Sequence, residues 1–446
     1  MQMNRTNTDK YTALLQKARQ YLPGGVSAAA RVGQGIGGPF FVSRGAGSKI
    51  YDLDGREYID LHTSFGASLL GHGHPRIKEA VARGLDMGIL CSHETEYQAE
   101  AARRLVQVLP CADMVRFSGS GTETTYYAIK LAREYTGKDK IIKFEGHFHG
   151  LHDYLQYNCW PPSGKGWPKV YPEGAGVPKG AAKHVIVLPF NDLAVLEETI
   201  QREKDDVAAV ILEPINYNSG GILPQRGYLE ALRELTTRHG ILLIFDEILS
   251  GFRTGPGCAQ DYLGVTPDLC TVGKAIGGGM PISAFGGRGE IMEHVGPLGK
   301  AQHSGTYNAP LVCIMAVNAF LEEISQPAFY DQLLARSLQL YDGIRDIIQC
   351  SGVPCWLQAT GARFNLLFGI GEEPRNYTMA AKQDVQMRNR FAAAALRNGV
   401  FFYPSWHHGI SAAHTETDIE RALAGIEAAM RQLRLDGAGT RVRHEA

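Results

Sequence analysis

Ile241-Leu-Leu-Ile-Phe-Asp-Glu247 and Asp268-Leu-Cys-Thr-Val-Gly-Lys-Ala-Ile-Gly-Gly-Gly-Met-Pro281 are the stretches from which the build of this chain can be read. The first runs five apolar residues into two carboxylates, the mark of a strand buried on both faces that ends in acid. The second is a shorter apolar run that breaks into Lys274 and then glycines, so the lysine falls where a strand ends. Outward from this pair, 114–117, 140–144, 184–188, 207–212 and 282–285 have the same strand-length apolar character. Helical spacing over 123–135, 193–204 and 226–238 separates them, with Gly240 stopping the last helix. Alternation of this kind predicts an α/β fold, a mostly parallel sheet with helices on both faces. Such sheets bind ligands outside the carboxyl ends of their strands, where Asp246 and Lys274 fall.

Beyond residue 316 the texture changes. Helices over 330–348, 385–397 and 418–433 flank short strands over 364–368 and 400–403, and Thr417-Asp-Ile-Glu420 has the pattern of a helix-opening capping box. Residues 50–60 read as a hairpin turning on Asp54-Gly55. The expectation is a large domain over 61–316 and a smaller α+β domain made of 1–60 with 317–446, its tail frayed after Gly437. The Pro- and Gly-rich stretch 151–182 fits neither domain and reads as a functional lid or a disordered segment, the lid being favoured by its place just after the candidate site.

Bulk properties exclude several classes. Among 446 residues, 45 Lys and Arg face 46 Asp and Glu, so a net charge of -1 provides no field for nucleic acid or an acidic membrane surface. No apolar stretch approaches the roughly 20 residues of a membrane span. Residues 1–17 are polar without an apolar signal core, and the eight cysteines are scattered with no zinc spacing. A cytoplasmic protein with reduced thiols and no metal is expected.

A lysine on one strand end beside a carboxylate on the next suits pyridoxal phosphate. The amine bonds the cofactor as a Schiff base, and the acid keeps the ring nitrogen protonated. Ser118-Gly-Ser-Gly-Thr-Glu-Thr-Thr125 joins a strand to a helix, so Ser120, Gly121 and Thr122 could hold a phosphate; an ordinary helix cap with tight-turn glycines explains the stretch equally well. It lacks the glycine spacing of a dinucleotide site. In Phe144-Glu-Gly-His-Phe-His-Gly150, Phe148 could stack on a planar cofactor, while His147 and His149 lack a third metal ligand nearby. His303-Ser-Gly-Thr-Tyr-Asn308 is a second hydroxyl–glycine turn suited to an anion.

Taken in order, Glu213-Pro214, Asp246-Glu-Ile-Leu-Ser-Gly-Phe-Arg253, Lys274 to Pro281 and Gly305-Thr306 resemble the class III aminotransferases, most of all the branch containing glutamate-1-semialdehyde aminomutase. The similarity runs from about residue 21 to 433. It implies the fold type I architecture, a seven-stranded-type sheet domain beside a smaller one, pyridoxal phosphate as cofactor, and a homodimer with sites at the subunit interface. Within that resemblance Lys274 is the Schiff-base lysine, Asp246 the pyridinium partner, Ile248 the aliphatic residue under the ring and Phe148 the aromatic above it. Ser120, Gly121, Thr122 and Glu213 join the cofactor-binding set, with Thr306 supplied by the partner subunit. Residues 151–182 correspond to a mobile gating loop, and Arg31, in Pro23-Gly-Gly-Val-Ser-Ala-Ala-Ala-Arg31, to the arginine that grips the substrate carboxylate. By the same resemblance Lys274 moves a proton between the substrate carbon and the cofactor, and the nitrogen passes to a keto-acid acceptor in a ping-pong cycle.

The departures bear on substrate. Ala28 replaces a serine of the aminomutase, Phe65 replaces a tryptophan, and Pro404-Ser-Trp-His-His-Gly-Ile-Ser411 has no acid where the aminomutase has a glutamate. Arg31, Phe65, Trp406 and His407 are thus the expected substrate residues. They suit an amino-acid aminotransferase taking an apolar or aromatic donor, a β- or D-amino acid among the candidates. Glutamate-1-semialdehyde 2,1-aminomutase and a racemase or epimerase are the alternatives.

Overall fold

The computed structural model describes residues 8–162 and 165–442, with side chains over 9–162 and 165–435. The chain groups into two compact units, one of Pro75–Tyr330 with Pro374–Lys382, the other of the residues up to His74 with Asp331–Glu373 and those from Gln383 on. The sequence reading set these divisions at 60/61 and 316/317.

The larger unit holds a seven-stranded sheet in the order Met114–Ser118, Ser283–Gly287, Leu269–Val272, Leu242–Glu247, Val207–Leu212, Lys140–Phe144, Val185–Leu188. Ser283–Gly287 runs antiparallel to both of its neighbours, and the four pairings beyond Leu269–Val272 are parallel. Every residue of Val207–Leu212 and Leu242–Glu247 is buried, which is why these strands read as continuous apolar runs. One core face joins Ile129 and Leu131 of the helix Gly121–Thr136 to Ile211, Ile244, Leu269 and Phe285 of the sheet. Truncating a fully buried aliphatic such as Ile244 to alanine there costs about 2–5 kcal/mol.

Six of these strands match the expected ranges within a residue or two, and Leu269–Val272 was expected only as a strand ending before Lys274. His184 itself closes a 3-10 helix, Lys179–His184, and the strand begins at Val185. Several helices went unread, among them Thr8–Tyr21 and, in the larger unit, the short Cys258–Leu263 and the longer Pro75–Asp86, Glu96–Val108 and Leu311–Ile324. The last packs on Pro75–Asp86 and Glu96–Val108 and is buried almost all round, so it shows no polar face from which a helical period could be read.

The smaller unit contains a four-stranded sheet, Val42–Ala46, Lys49–Asp52, Glu57–Asp60 and Val400–Phe401, and a three-stranded one, Cys355–Thr360, Arg363–Phe368 and His408–Gly409. The expected hairpin is present, with Lys49 to Tyr51 paired to Ile59 to Glu57. The capping box of the last helix, Glu416–Val442, lies two residues earlier than expected: the Thr415 amide donates to Asp418 (3.1 Å) and the Asp418 amide to Thr415 Oγ1 (3.2 Å). That helix also passes through Gly437, where a frayed tail was expected. Among the described residues no helix is long and apolar enough to cross a membrane.

Candidate active site

The carboxyl ends of the parallel strands converge. Leu242–Glu247 delivers Asp246 and Ile248, Val207–Leu212 delivers Glu213, Lys140–Phe144 leads into Phe148 and His149, and Leu269–Val272 leads into Lys274. The helix Gly121–Thr136 begins at the same end, and these residues line one cavity of about 220 Å3 with Gly121, Thr122 and Ser283. Seven expected residues, Gly121, Thr122, Phe148, Glu213, Asp246, Ile248 and Lys274, are therefore together.

Asp246 is buried and held on both oxygens. His149 Nδ1 lies 2.7 Å from Oδ2, while the Thr271 hydroxyl (2.9 Å) and the Ile248 amide (3.1 Å) donate to Oδ1. Burial lowers the pKa of His149 against the opposing pull of Asp246, so the imidazole is neutral and donates through Nδ1. Glu213 goes the other way: burial first and the charge of Asp246 second raise its pKa, opposed by hydrogen bonds from the Phe148 amide (2.8 Å) and Asn218 Nδ2 (2.9 Å) and by the charge of Lys274.

Backbone geometry shapes the slot. Lys274 has φ 46°, a left-handed conformation that costs a non-glycine residue about 1–3 kcal/mol and is retained where surrounding structure enforces it. Ile248 is pressed between two glycines: a Cβ on Gly273 would stand 2.9 Å from Ile248 Cδ1, and one on Gly121 would stand 3.2 Å from its Cγ2. Gly150, at φ 93°, lies so close to the helix start that a Cβ would meet Thr122 Cα at 2.7 Å. Phe148 is stacked from behind by Trp160 (centroids 5.1 Å, 22° between planes), whose indole N–H donates to the Asn218 carbonyl (3.0 Å). An amine, a thrice-bonded carboxylate, an aliphatic floor, an aromatic and a helix N-terminus in one slot fit a planar pyridine with an aldehyde and a phosphate arm.

Ser120 and Thr306 do not line this cavity, the latter having been expected from the partner subunit. Ser120 caps its helix, accepting from the Glu123 amide (3.3 Å) and donating to the Glu123 carboxylate (2.9 Å). Thr306 lines a second cavity of about 670 Å3 in the same unit, with Arg116, His303 and Asn308. His149, Thr271, Asn218 and Trp160 were missed as parts of the site. The one sequence signal for them was the His-x-His pair, considered only as a metal motif; among the described residues no group of three or more His, Cys, Asp or Glu is arranged to hold a metal.

The substrate candidates belong to the smaller unit, and most of them meet there. Phe65 packs on His62 (4.2 Å), Tyr403 (5.6 Å) and His407 (5.2 Å), and His62 Nδ1 lies 3.1 Å from the His407 carbonyl. The Tyr403 hydroxyl donates to the carbonyl of Ala30, next to the exposed Arg31, which itself donates to Ser27 Oγ (3.1 Å). Burial lowers the His62 pKa to about 4, so this imidazole is neutral at neutral pH. Thr63, Ser64 and Phe65 are all left-handed, at φ 50°, 52° and 55°, and Asp60 braces the turn by accepting from the amides of His62 (2.9 Å) and Thr63 (3.1 Å). Trp406 lies apart from this cluster, under the Arg388 guanidinium (5.9 Å).

Fold and slot together define a pyridoxal-phosphate-dependent transferase of fold type I. The chain belongs to the aminotransferase class-III family, whose model it matches over residues 32–415. It is 40% identical over 431 residues to glutamate-1-semialdehyde 2,1-aminomutase 2 of Brevibacillus brevis, covering 96% of this chain and 99% of that protein. An omega-transaminase from Sphaerobacter thermophilus superposes with a TM-score of 0.89 at 33% identity, over 95% of this chain and 97% of that one. A β-phenylalanine aminotransferase from Variovorax paradoxus does so with 0.83 at 29% identity, over 95% and 94%. The enzyme is thus a pyridoxal-phosphate-dependent aminotransferase, as its motifs implied.

Proposed function

We propose that the enzyme takes its amino group from a carboxylated, apolar or aromatic amino acid, with β- and D-amino acids among the candidates, and gives it to a keto acid by a ping-pong cycle. The carrying observation is the aromatic wall of His62, Phe65, Tyr403 and His407 joined through Ala30 to the turn that bears Arg31. Likeness to a β-phenylalanine aminotransferase and an omega-transaminase agrees with it.

Pyridoxal phosphate, when bound, supplies an electron-withdrawing ring and an aldehyde that exchanges amines. The residues do the rest. Asp246, fixed by three donors, holds a proton at the ring nitrogen. Lys274 Nζ takes a proton from the substrate carbon and returns one. Phe148 and Ile248 bound the slot, Glu213 completes its wall, and the amides of Gly121 and Thr122 would hold the phosphate. Arg31 orients the donor by its carboxylate. Residues 151–182 act as a gate over the slot. The working form in this reading is a cytoplasmic homodimer in which the partner subunit supplies Thr306, consistent with the place of this residue in a second cavity.

A panel of α-, β- and D-amino acids, mixed with cofactor-loaded enzyme and no keto acid, tests the reading. Apolar and aromatic carboxylated donors should discharge the aldehyde-form absorbance. Arg31→Ala should lower kcat/KM for them roughly 10- to 100-fold while sparing amines without a carboxylate, since a charged hydrogen-bond pair contributes about 1.5–3 kcal/mol. An unchanged kcat/KM for every donor would refute the clamp. The aminomutase is the second reading, favoured by the 40% identical relative. Silence across the panel, with 5-aminolevulinate formed from glutamate-1-semialdehyde, would establish it, and racemisation without amine transfer would point to an epimerase.

A further inference from the structure

One buried charge beneath the slot has no part in the roles above. Lys143 lies on the strand Lys140–Phe144, between Val185–Leu188 and Val207–Leu212, and is completely buried. Its Nζ donates to three carbonyl oxygens, those of His147 (2.9 Å), Leu155 (3.0 Å) and Tyr157 (2.6 Å), and sits 3.4 Å from Cys159 Sγ. These partners are dipoles and a thiol, not a carboxylate. An ammonium taken out of water costs several kcal/mol unless such contacts offset it, and a methionine of similar volume would avoid that cost.

The chain path shows what the charge holds. His147 immediately precedes Phe148 and His149, and Leu155 and Tyr157 close the same excursion. One nitrogen therefore ties down both ends of the stretch that carries the slot's aromatic and the partner of Asp246. Further contacts extend the arrangement: the Gly146 amide donates to the Asn158 carbonyl (2.9 Å), the Thr125 hydroxyl to the His149 carbonyl (2.6 Å), and Trp160 stacks on Phe148.

We propose that Lys143 is a positioning residue, a tethered cation that fixes residues 147–157 and through them sets Phe148 and His149 against the cofactor slot. It rests on the cofactor assignment and not on the donor class, so failure of either leaves the other readable. It also separates Lys143 from an ordinary core residue, whose loss would lower stability without altering the slot.

The test compares wild-type holoenzyme with Lys143→Met and Lys143→Arg. For the Met variant we expect cofactor Kd to rise at least about tenfold and kcat of the half-reaction to fall by a similar factor, from loss of charged hydrogen bonds. KM for the amino donor should stay within about threefold, since the donor contacts lie on other residues. Hydrogen exchange should rise over 147–159, and Lys143→Arg should recover part of each loss. A folded Met variant with cofactor Kd within about twofold of wild type and unchanged exchange over 147–159 would overturn the proposal, whatever its melting temperature. If the Met variant does not fold, Lys143→Gln, with two N–H donors and no charge, is read by the same criteria. Wild-type cofactor affinity in that variant would equally overturn it.

Discussion

His149→Leu isolates the buried imidazole behind Asp246. The change keeps an apolar body in a fully enclosed position and removes one donor, the Nδ1–H 2.7 Å from Asp246 Oδ2. The Thr271 hydroxyl and Ile248 amide remain on the other oxygen. A hydrogen bond to a charged group in a dry site contributes about 1.5–3 kcal/mol, and 1.4 kcal/mol is a factor of ten, so the half-reaction should slow roughly 10- to 100-fold. KM should change little if the lost contact acts on the cofactor and not on the donor. His149→Asn, whose amide nitrogen can take the place of Nδ1, should recover most of the rate. Single-turnover absorbance at a series of donor concentrations gives both the rate and KM. A folded His149→Leu enzyme with a rate within about threefold of wild type would refute the positioning role and the importance given to Asp246's third donor.

Gly150→Ala should destabilise the fold by about 1–3 kcal/mol and weaken cofactor binding, since the backbone is left-handed and the new Cβ meets Thr122 Cα at 2.7 Å; thermal melts and cofactor titration measure both. Burial holds His62 and His414 near pKa 4 and His152 and His408 near 3, against an ordinary value of 6.5. The unfolded chain takes up these protons first, so the stability they support is complete above about 6.5 and falls as pH drops towards 4, by about 1.4 kcal/mol per unit per histidine. Scanning calorimetry from pH 7 to about 5 should show a steep fall in Tm, and a flat profile would contradict the burial of neutral imidazoles. Mixing refolded Lys274→Ala and Thr306→Asp chains should restore about a quarter of wild-type activity, because half of randomly paired dimers are mixed and each carries one intact site. No restoration would remove Thr306 from the partner's site.

What could be read in the sequence was whatever one short stretch states by itself. Leu242–Glu247 is buried at every position, so its apolar run and terminal acid identified both a strand and its carboxyl end. Lys274 followed from the same logic one strand over. Thr415 and Thr417 each precede an acid by three residues, and only the hydrogen bonds choose Thr415 with Asp418. The left-handed run Thr63-Ser64-Phe65 contains no glycine before Gly66, so no local signal marks the turn that presents Phe65. Polar partnerships were harder still. The carbonyls that hold Lys143 lie 4, 12 and 14 residues away, and His149 meets Asp246 across 97. A charged side chain inside an apolar run announces that it needs partners, but not which ones, because burial selects them only after the sheet has formed. Lys143 carried that announcement in Lys-Ile-Ile-Lys-Phe, where a lysine flanked by isoleucine and phenylalanine must either leave the strand or be satisfied within it. The structure takes the second course, and the oxygens that satisfy it belong to the backbone that delivers Phe148 and His149.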